Sequence, residues 1–144
     1  MSNEILTFEE LNSAKMIREE ISREQSKLEA LKISATSLNF AMDDVKVQST
    51  AQTSKTEKFA TLIIEAERRI DELESKLIDV SAELANKISL TFSRNALFVA
   101  VLIQHYCGGL DFTAIAAKIG YTRDYVWKLH KRAIAALSAS TATA

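Results

Sequence analysis

Two series of apolar residues, each repeating at alternating steps of three and four, most restrict the folds open to this chain of 144 residues. The first series is apolar except at one position and consists of Ala14, Ile17, Ile21, Glu24, Leu28, Leu31, Ala35 and Leu38. The second is apolar throughout and consists of Phe59, Ile63, Ala66, Ile70, Leu73, Leu77, Val80 and Leu84. This 3.5-residue period is typical of a coiled-coil seam, so each series predicts one long amphipathic helix.

Capping patterns mark where the two long helices begin. Thr7 and Glu10 have the spacing of a capping box, in which a side-chain oxygen and a backbone amide are satisfied reciprocally. Leu6 and Leu11 flank this box and are placed to form a hydrophobic staple. The same capping pattern recurs at Ser54. We therefore expect one helix to begin after Thr7 and the other after Ser54.

The two long helices are expected over about residues 7–38 and 54–90. Residues 39–53 are rich in Ser, Thr, Gln and Lys and show no clean period, which predicts a long, mobile loop. Helices of similar length joined by a loop bury both seams most simply as an antiparallel, coiled-coil-like hairpin within residues 1–92. Pairing within one chain and pairing between two chains both remain open, and the second would make a homodimer.

Composition supports an all-α fold and argues against several classes of function. Three Gly and no Pro leave few turn formers for a multi-stranded sheet. A single Cys excludes an intramolecular disulfide and a thiolate-rich zinc site. His105 and Cys107 have no third ligand nearby in the sequence, so no metal site is predicted. The chain lacks a credible nucleophile–base pair and a glycine-rich phosphate loop, which predicts a non-enzyme without a cofactor.

The sequence also predicts a soluble protein of the bacterial cytoplasm. Residues 1–4 lack the basic stretch of a secretory signal. The longest apolar run covers residues 96–103, whereas a helix needs roughly 20 apolar residues to cross a bilayer. We therefore expect no membrane partner.

The net charge of −1 conceals an uneven distribution along the chain. Residues 1–92 hold 12 Lys and Arg against 17 Asp and Glu, whereas residues 93–144 hold six against two. An acidic first part and a basic second part indicate two roles, with any anionic partner at the basic end.

Glycines and capping residues divide residues 93–137 into three short helices, of which the first is the most continuously apolar. The residues that bound these helices are Ser93, Gly108, Gly109, Asp111, Gly120 and Thr122. Ser93, Asp111 and Thr122 are the expected N-caps. The last helix is expected to end at about Leu137, and residues 138–144 are expected to fray.

The second and third of these helices, with a glycine-containing turn between them, have the spacing of a helix-turn-helix. The apolar residues expected to face inward are Phe112, Ile115, Ala116, Ile119, Val126, Leu129, Ala133 and Leu137. The residues left on the outside of the last helix are Arg123, Asp124, Tyr125, Trp127, Lys128, Lys131 and Arg132. Four cations against one acid, with two aromatic rings between them, favour a polyanionic partner.

Residues 111–137 resemble sigma-factor region 4, the helix-turn-helix that reads a promoter element. The matching residues are Ile119-Gly120, Thr122-Arg123-Asp124, Val126 and Lys131-Arg132-Ala133-Ile134. More loosely, the two-helix front, the 47–50 loop and residues 125–130 resemble the ArpU- and RinA-type late transcription regulators of phages and prophages. Tyr125 and Trp127 stand where sigma factors usually carry Arg, so the target sequence of sigma factors does not carry over.

The resemblance implies a division of labour along the last helix. The residues implied to meet base edges in the major groove are Arg123, Asp124, Tyr125, Trp127 and Lys128. Those implied to meet phosphates are Thr122, Lys131 and Arg132. Structural roles compete with these contacts. Lys131 and Arg132 also suit the negative end of a helix macrodipole, Tyr125 and Trp127 can pack on the front helices, and His130 is expected to be a packed histidine.

The sequence therefore predicts a duplex-DNA-binding transcriptional regulator of phage type. The helical hairpin of this regulator is expected to bind either a second copy of the chain or RNA polymerase. The first alternative is a DNA-packaging protein similar to a phage small terminase subunit, which also joins a helix-turn-helix to coiled-coil helices. The second is a coiled-coil protein-interaction module that does not bind DNA.

Overall fold

The chain is all-α, as predicted. The computed structural model describes the backbone of residues 6–44 and 50–143 and the side chains of residues 6–37 and 54–138, and no strand occurs within these ranges. The helices are α1 (Phe8–Asp44), α2 (Thr50–Thr91), α3 (Ala96–Leu102), α4 (Phe112–Ile119) and α5 (Arg123–Thr143). A π-helical turn over Ile103–Cys107 continues α3. None of the helices in the described part is long and apolar enough to cross a membrane.

The two long helices extend further than the sequence predicted. Residues 39–44 belong to α1 and residues 50–53 to α2, so the expected loop over 39–53 is wrong at both ends. Ser54 consequently lies inside α2 and does not cap it. Residues 39–44 and 50–53 contain no Gly or Pro, and their polar side chains are tolerated on a helix surface. Most of the 47–50 loop lies outside the described residues.

The predicted start of α1 is confirmed. The Thr7 hydroxyl oxygen accepts a hydrogen bond from the Glu10 amide at 3.2 Å. The return contact differs from a full capping box, because the Thr7 hydroxyl donates to the Glu10 carboxylate at 3.3 Å. Leu6 and Leu11 are completely buried in one cluster, as a hydrophobic staple requires.

The expected cap at Ser93 is wrong. α3 begins at Ala96, and the Asn95 side chain accepts a hydrogen bond from the Phe98 amide at 3.2 Å. The Asn95 amide in turn donates to the Phe92 carbonyl at 2.9 Å. Residues 92–95 therefore form a hydrogen-bonded turn after α2, and this turn shifts the start of α3 past Ser93. At the other end of the region, the expected end of the last helix at about Leu137 is wrong, because α5 continues to Thr143.

The chain divides into two compact units, one of residues 18–76 and one of residues 1–17 with 77–144. The beginning of α1 and the end of α2 thus belong with α3, α4 and α5, a division different from the expected boundary after residue 92. Every described side chain of the two apolar series is buried or half-buried. The spacing that predicted two amphipathic helices also identified their buried faces.

In the unit of residues 18–76, the polar interruption of the first apolar series has a partner. Glu24 is 17% exposed, and one of its carboxylate oxygens lies 3.8 Å from Nε of Arg69. The same guanidinium donates from Nη2 to Glu20 at 2.6 Å. Arg69 therefore joins α2 to two successive turns of α1. Such a partly exposed ion pair contributes at most about 1 kcal/mol to the free energy of unfolding. It also provides the largely buried Glu24 carboxylate with a partner of opposite charge.

The other unit contains two cores, and α5 contributes to both. The first core joins the ends of α1 and α2 to α3, the π-helical turn and the later turns of α5; its members are Leu6, Leu11, Ala14, Leu84, Ile88, Leu102, Tyr106, Ala133 and Leu137. The second joins α3 and α4 to the first turns of α5; its members are Val101, Ile115, Ala116, Val126 and Leu129. The first turns of α5 are thereby fixed against α4.

Candidate nucleic-acid interface

Local sequence fixes the geometry of α4 and α5. Asp111 caps α4, because its side chain accepts from the Ala114 amide at 2.8 Å. Gly120 ends α4 in the left-handed conformation with φ of 79°, which Gly adopts readily because it has no Cβ. Thr122 then caps α5, with its hydroxyl oxygen accepting from the Tyr125 amide at 3.2 Å. All three of these predicted boundaries are confirmed.

The inward faces of α4 and α5 also lie where the spacing predicted. Six of the eight expected residues are buried, namely Ile115, Ala116, Val126, Leu129, Ala133 and Leu137. Phe112 and Ile119 are half-buried and pack against the second core. This packing leaves the opposite face of α5, apart from Tyr125, outside the two cores.

We call the outward face of α5 with its cap the α5 surface; its members are Thr122, Arg123, Asp124, Tyr125, Trp127, Lys128, Lys131 and Arg132. All of them are exposed except Tyr125, which is half-buried. Trp127 is 43% exposed, a large value for an apolar ring. The residues implied to meet bases and those implied to meet phosphates are thus brought together on one side of one helix.

The four cations of the α5 surface are not neutralised by acidic side chains. Within the described residues, none of Arg123, Lys128, Lys131 and Arg132 forms an ion pair. Some cations on the long helices do form ion pairs, namely Lys32 with Glu67, Arg69 with Glu20 and Glu24, and Lys87 with Glu10. The α5 surface therefore retains a positive potential that an anionic partner can use.

Two aromatic rings stand at opposite edges of this surface. Tyr125 packs against the second core and lies 4.9 Å from Tyr121 between ring centroids. Trp127 contacts Phe112 edge to face at 5.3 Å and lies nearly parallel to His130 at 5.8 Å. Both rings are therefore held by residues of α4, α5 and the connection between them. None of these contacts involves α1 or α2, the long front helices on which the two rings could alternatively pack.

A cluster that the sequence did not predict lies beneath Trp127. His130 Nε2 and the Tyr106 hydroxyl are 2.7 Å apart, and the two residues are 24 positions apart in the sequence. The His105 ring lies 5.4 Å from that of His130, and its Nδ1 donates to the Leu110 carbonyl at 2.8 Å. Desolvation by burial, with a smaller effect of His105, lowers the pKa of His130 to about 4. His130 is therefore neutral at pH 7. The sequence signal that could have indicated its contact with Trp127 is the three-residue spacing between them, which places both side chains on neighbouring turns of α5.

The described residues contain no group of three or more His, Cys, Asp and Glu that could hold a metal ion. His105 is instead committed to a backbone carbonyl, and the Cys107 thiol donates to the Ser81 carbonyl at 3.4 Å. These two side chains act in packing and local hydrogen bonding.

Comparisons with protein-family models, with curated proteins and with solved structures find no match to this chain. Any function must therefore be argued from the residues of the α5 surface themselves.

Proposed function

We propose that this chain is a sequence-specific, duplex-DNA-binding transcriptional regulator of the phage or prophage type. In this proposal α4 and α5 form a helix-turn-helix, and α5 enters the major groove. The proposal rests on one observation: the outward face of α5 presents an exposed Trp127 beside four cations that form no ion pair with a carboxylate of the described residues. Such a face suits a polyanion whose grooves admit one helix.

The roles along α5 follow from its direction. A recognition helix contacts base edges with its N-terminal residues. We therefore assign Arg123, Asp124 and Lys128 to base contacts. Arg123 has the planar donor pair that guanine O6 and N7 accept, and Asp124 accepts from cytosine N4. Tyr125 and Trp127 offer apolar edges to thymine methyl groups or sugars.

The phosphate contacts lie at both ends of this recognition segment. Thr122 sits at the N-terminus of α5, where backbone amides and a hydroxyl suit an oxyanion. Lys131 and Arg132 lie later on the helix, where the groove wall replaces the base edges. In the same proposal, α1 and α2 form an antiparallel coiled-coil-like hairpin that serves for homodimerisation or for contact with RNA polymerase.

The test is a titration of the full chain with mixed genomic duplex fragments, followed by the fluorescence of Trp127 at several salt concentrations. We expect the logarithm of the affinity to fall with the logarithm of salt by about 0.9 for each phosphate neutralised. Lys131→Ala should weaken all duplexes alike and reduce that slope by about one. Arg123→Ala should cost about 1–3 kcal/mol on a duplex selected from random sequence and relax the choice at one base pair.

The matched control is Lys58→Ala, which removes an exposed cation of α2 that belongs to the unit of residues 18–76. Its salt slope should equal that of the unmodified chain. Identical profiles for Arg123→Ala and Lys131→Ala would contradict the assigned roles. Absence of salt-sensitive binding at about 50 mM salt would favour the protein-interaction module, and a ring of many subunits in light scattering would favour the DNA-packaging protein.

A further inference from the structure

Trp127 is held on the α5 surface by contacts on more than one side. Its ring lies nearly parallel to the His130 imidazole, with an interplanar angle of 18°. The Phe112 ring meets it at 63°, and the Lys131 ammonium lies 5.8 Å from its centroid. Aromatic rings at these separations attract each other through offset and edge-to-face contacts. The ring is thus partly exposed and yet fixed, a combination that a merely solvent-facing tryptophan lacks.

The orientation of His130 depends in turn on one polar contact. Its Nε2 atom is paired with the Tyr106 hydroxyl, whereas its buried Nδ1 atom has no hydrogen-bond partner among the described residues. The imidazole also contacts four aromatic rings, those of His105, Tyr106, Phe112 and Trp127. Ring contacts tolerate rotation of an imidazole about its own axis better than a 2.7 Å hydrogen bond does.

We propose that Tyr106 and His130 are positioning residues for DNA recognition: the Tyr106 hydroxyl fixes the His130 ring, which backs Trp127 so that its exposed edge contacts the methyl group of a thymine. This inference rests on the proposed function and narrows it to one apolar contact in the major groove. The thymine methyl is the apolar feature that the major-groove edges of the bases present, and a fixed indole edge is complementary to it.

The physical argument turns on what the hydroxyl supplies. Without it, both nitrogens of a half-buried imidazole lack partners, and leaving a buried polar group unpaired is costly. The imidazole then relieves that cost by turning toward water, and the Trp127 ring loses its backing. A mobile ring must be ordered when DNA binds, and that loss of entropy removes the advantage of the methyl contact.

Tyr106→Phe tests this, because it removes one oxygen and keeps the ring that contributes to the first core. Tyr121→Phe is the matched control, since Tyr121 contacts Tyr125 and lies outside the cluster around His130. The probes are the duplex selected from random sequence and the same duplex with deoxyuridine in place of thymidine, which differ only in the thymine methyl groups. Acrylamide quenching of the free proteins reports on Trp127 alone, because the chain has one Trp.

We expect the unmodified chain and Tyr121→Phe to prefer the thymidine duplex by about fourfold, the effect of burying one methyl group. Tyr106→Phe should bind both duplexes equally, keep its salt slope, and show faster quenching of Trp127, with an unchanged circular dichroism spectrum. Trp127→Ala should also lose the preference. The inference is overturned if Tyr106→Phe keeps the preference or the slow quenching, or if the unmodified chain shows no preference. If the unmodified chain binds neither duplex in a salt-dependent way, the proposed function itself fails.

Discussion

The protonation of His130 couples the stability of this fold to pH. Its imidazole is half-buried, and its pKa in the folded chain is about 4, whereas an unfolded histidine titrates near 6.5. The titratable groups facing it are Tyr106 and His105 on the π-helical turn, with Lys131 next to it on α5. Burial raises the pKa of Tyr106, so its hydroxyl keeps a proton at neutral pH and does not titrate in the same range.

This difference predicts a stability that falls as the solution is acidified. Between pH 6.5 and 4 the unfolded chain binds a proton at His130 that the folded chain does not, so the free energy of unfolding decreases as pH falls through that window and levels off below it. Discounted for the exposed part of the ring, the loss is about 1–2 kcal/mol. Urea unfolding at pH 7 and pH 4.5 measures it.

The comparison chain for that measurement is His130→Phe, which keeps a ring under Trp127 and cannot titrate. The other ionisable residues are present in both chains, so the difference between the two pH profiles reports on the His130 ring and its interaction with His105. Parallel profiles for the two chains would mean that the His130 ring is solvated and titrates normally in the folded state.

At the scale of the elements, the connection from α4 to α5 depends on one backbone conformation. Gly120 has φ of 79°, and a Cβ built there would meet no atom within 4 Å, so strain alone decides the effect of a substitution. We expect Gly120→Ala to lower the free energy of unfolding by about 1–2 kcal/mol. Gly120→Asn should cost less, because Asn tolerates the left-handed region. Thermal unfolding of the two variants checks the order, and equal losses would contradict the conformational explanation.

Gly108 illustrates a different constraint at the end of the π-helical turn. Its amide donates to the Ile103 carbonyl at 2.9 Å, and a Cβ there would lie 2.7 Å from the Gln104 carbonyl oxygen. Backbone crowding, and not a positive φ, therefore requires Gly at this position. The sequence predicted that a helix ends at Gly108 and Gly109. The π-helical turn that precedes them has no sequence signal of its own.

The elements show why sequence predicted some features and missed others. The buried face of α5 followed from Val126, Leu129 and Ala133 at steps of three and four, because that period belongs to a helix regardless of what it packs on. The contact between Tyr106 and His130 could not be predicted from the sequence period, since it depends on how α3 and α5 cross. The extra turns of α1 and α2 could not be predicted, because residues 39–44 and 50–53 lack the apolar period that marks a helix.

At the scale of the whole molecule, α5 links the candidate site to residues at the other end of the sequence. Its first turns pack on α3 and α4, whereas Ala133 and Leu137 belong to a core that also contains Leu6 and Leu11. All of these residues lie in the same compact unit. The beginning of α1 therefore helps to hold α5 in place, because its buried residues pack in the same core as the later turns of α5.

This sharing of α5 predicts that a substitution near the N-terminus is felt at Trp127. Leu11 is completely buried, so Leu11→Ala leaves a cavity in the first core and should lower the free energy of unfolding by about 2–5 kcal/mol. Because Leu137 lines the same core, urea unfolding followed by Trp127 fluorescence should show the lower midpoint, together with the circular dichroism signal. Met16→Ala is the control on the same helix, since Met16 is 65% exposed and its loss should change stability by about 0.5 kcal/mol or less. If Leu11→Ala moves the fluorescence midpoint no further than Met16→Ala does, the beginning of α1 does not support α5, and the first core unfolds separately from the candidate site.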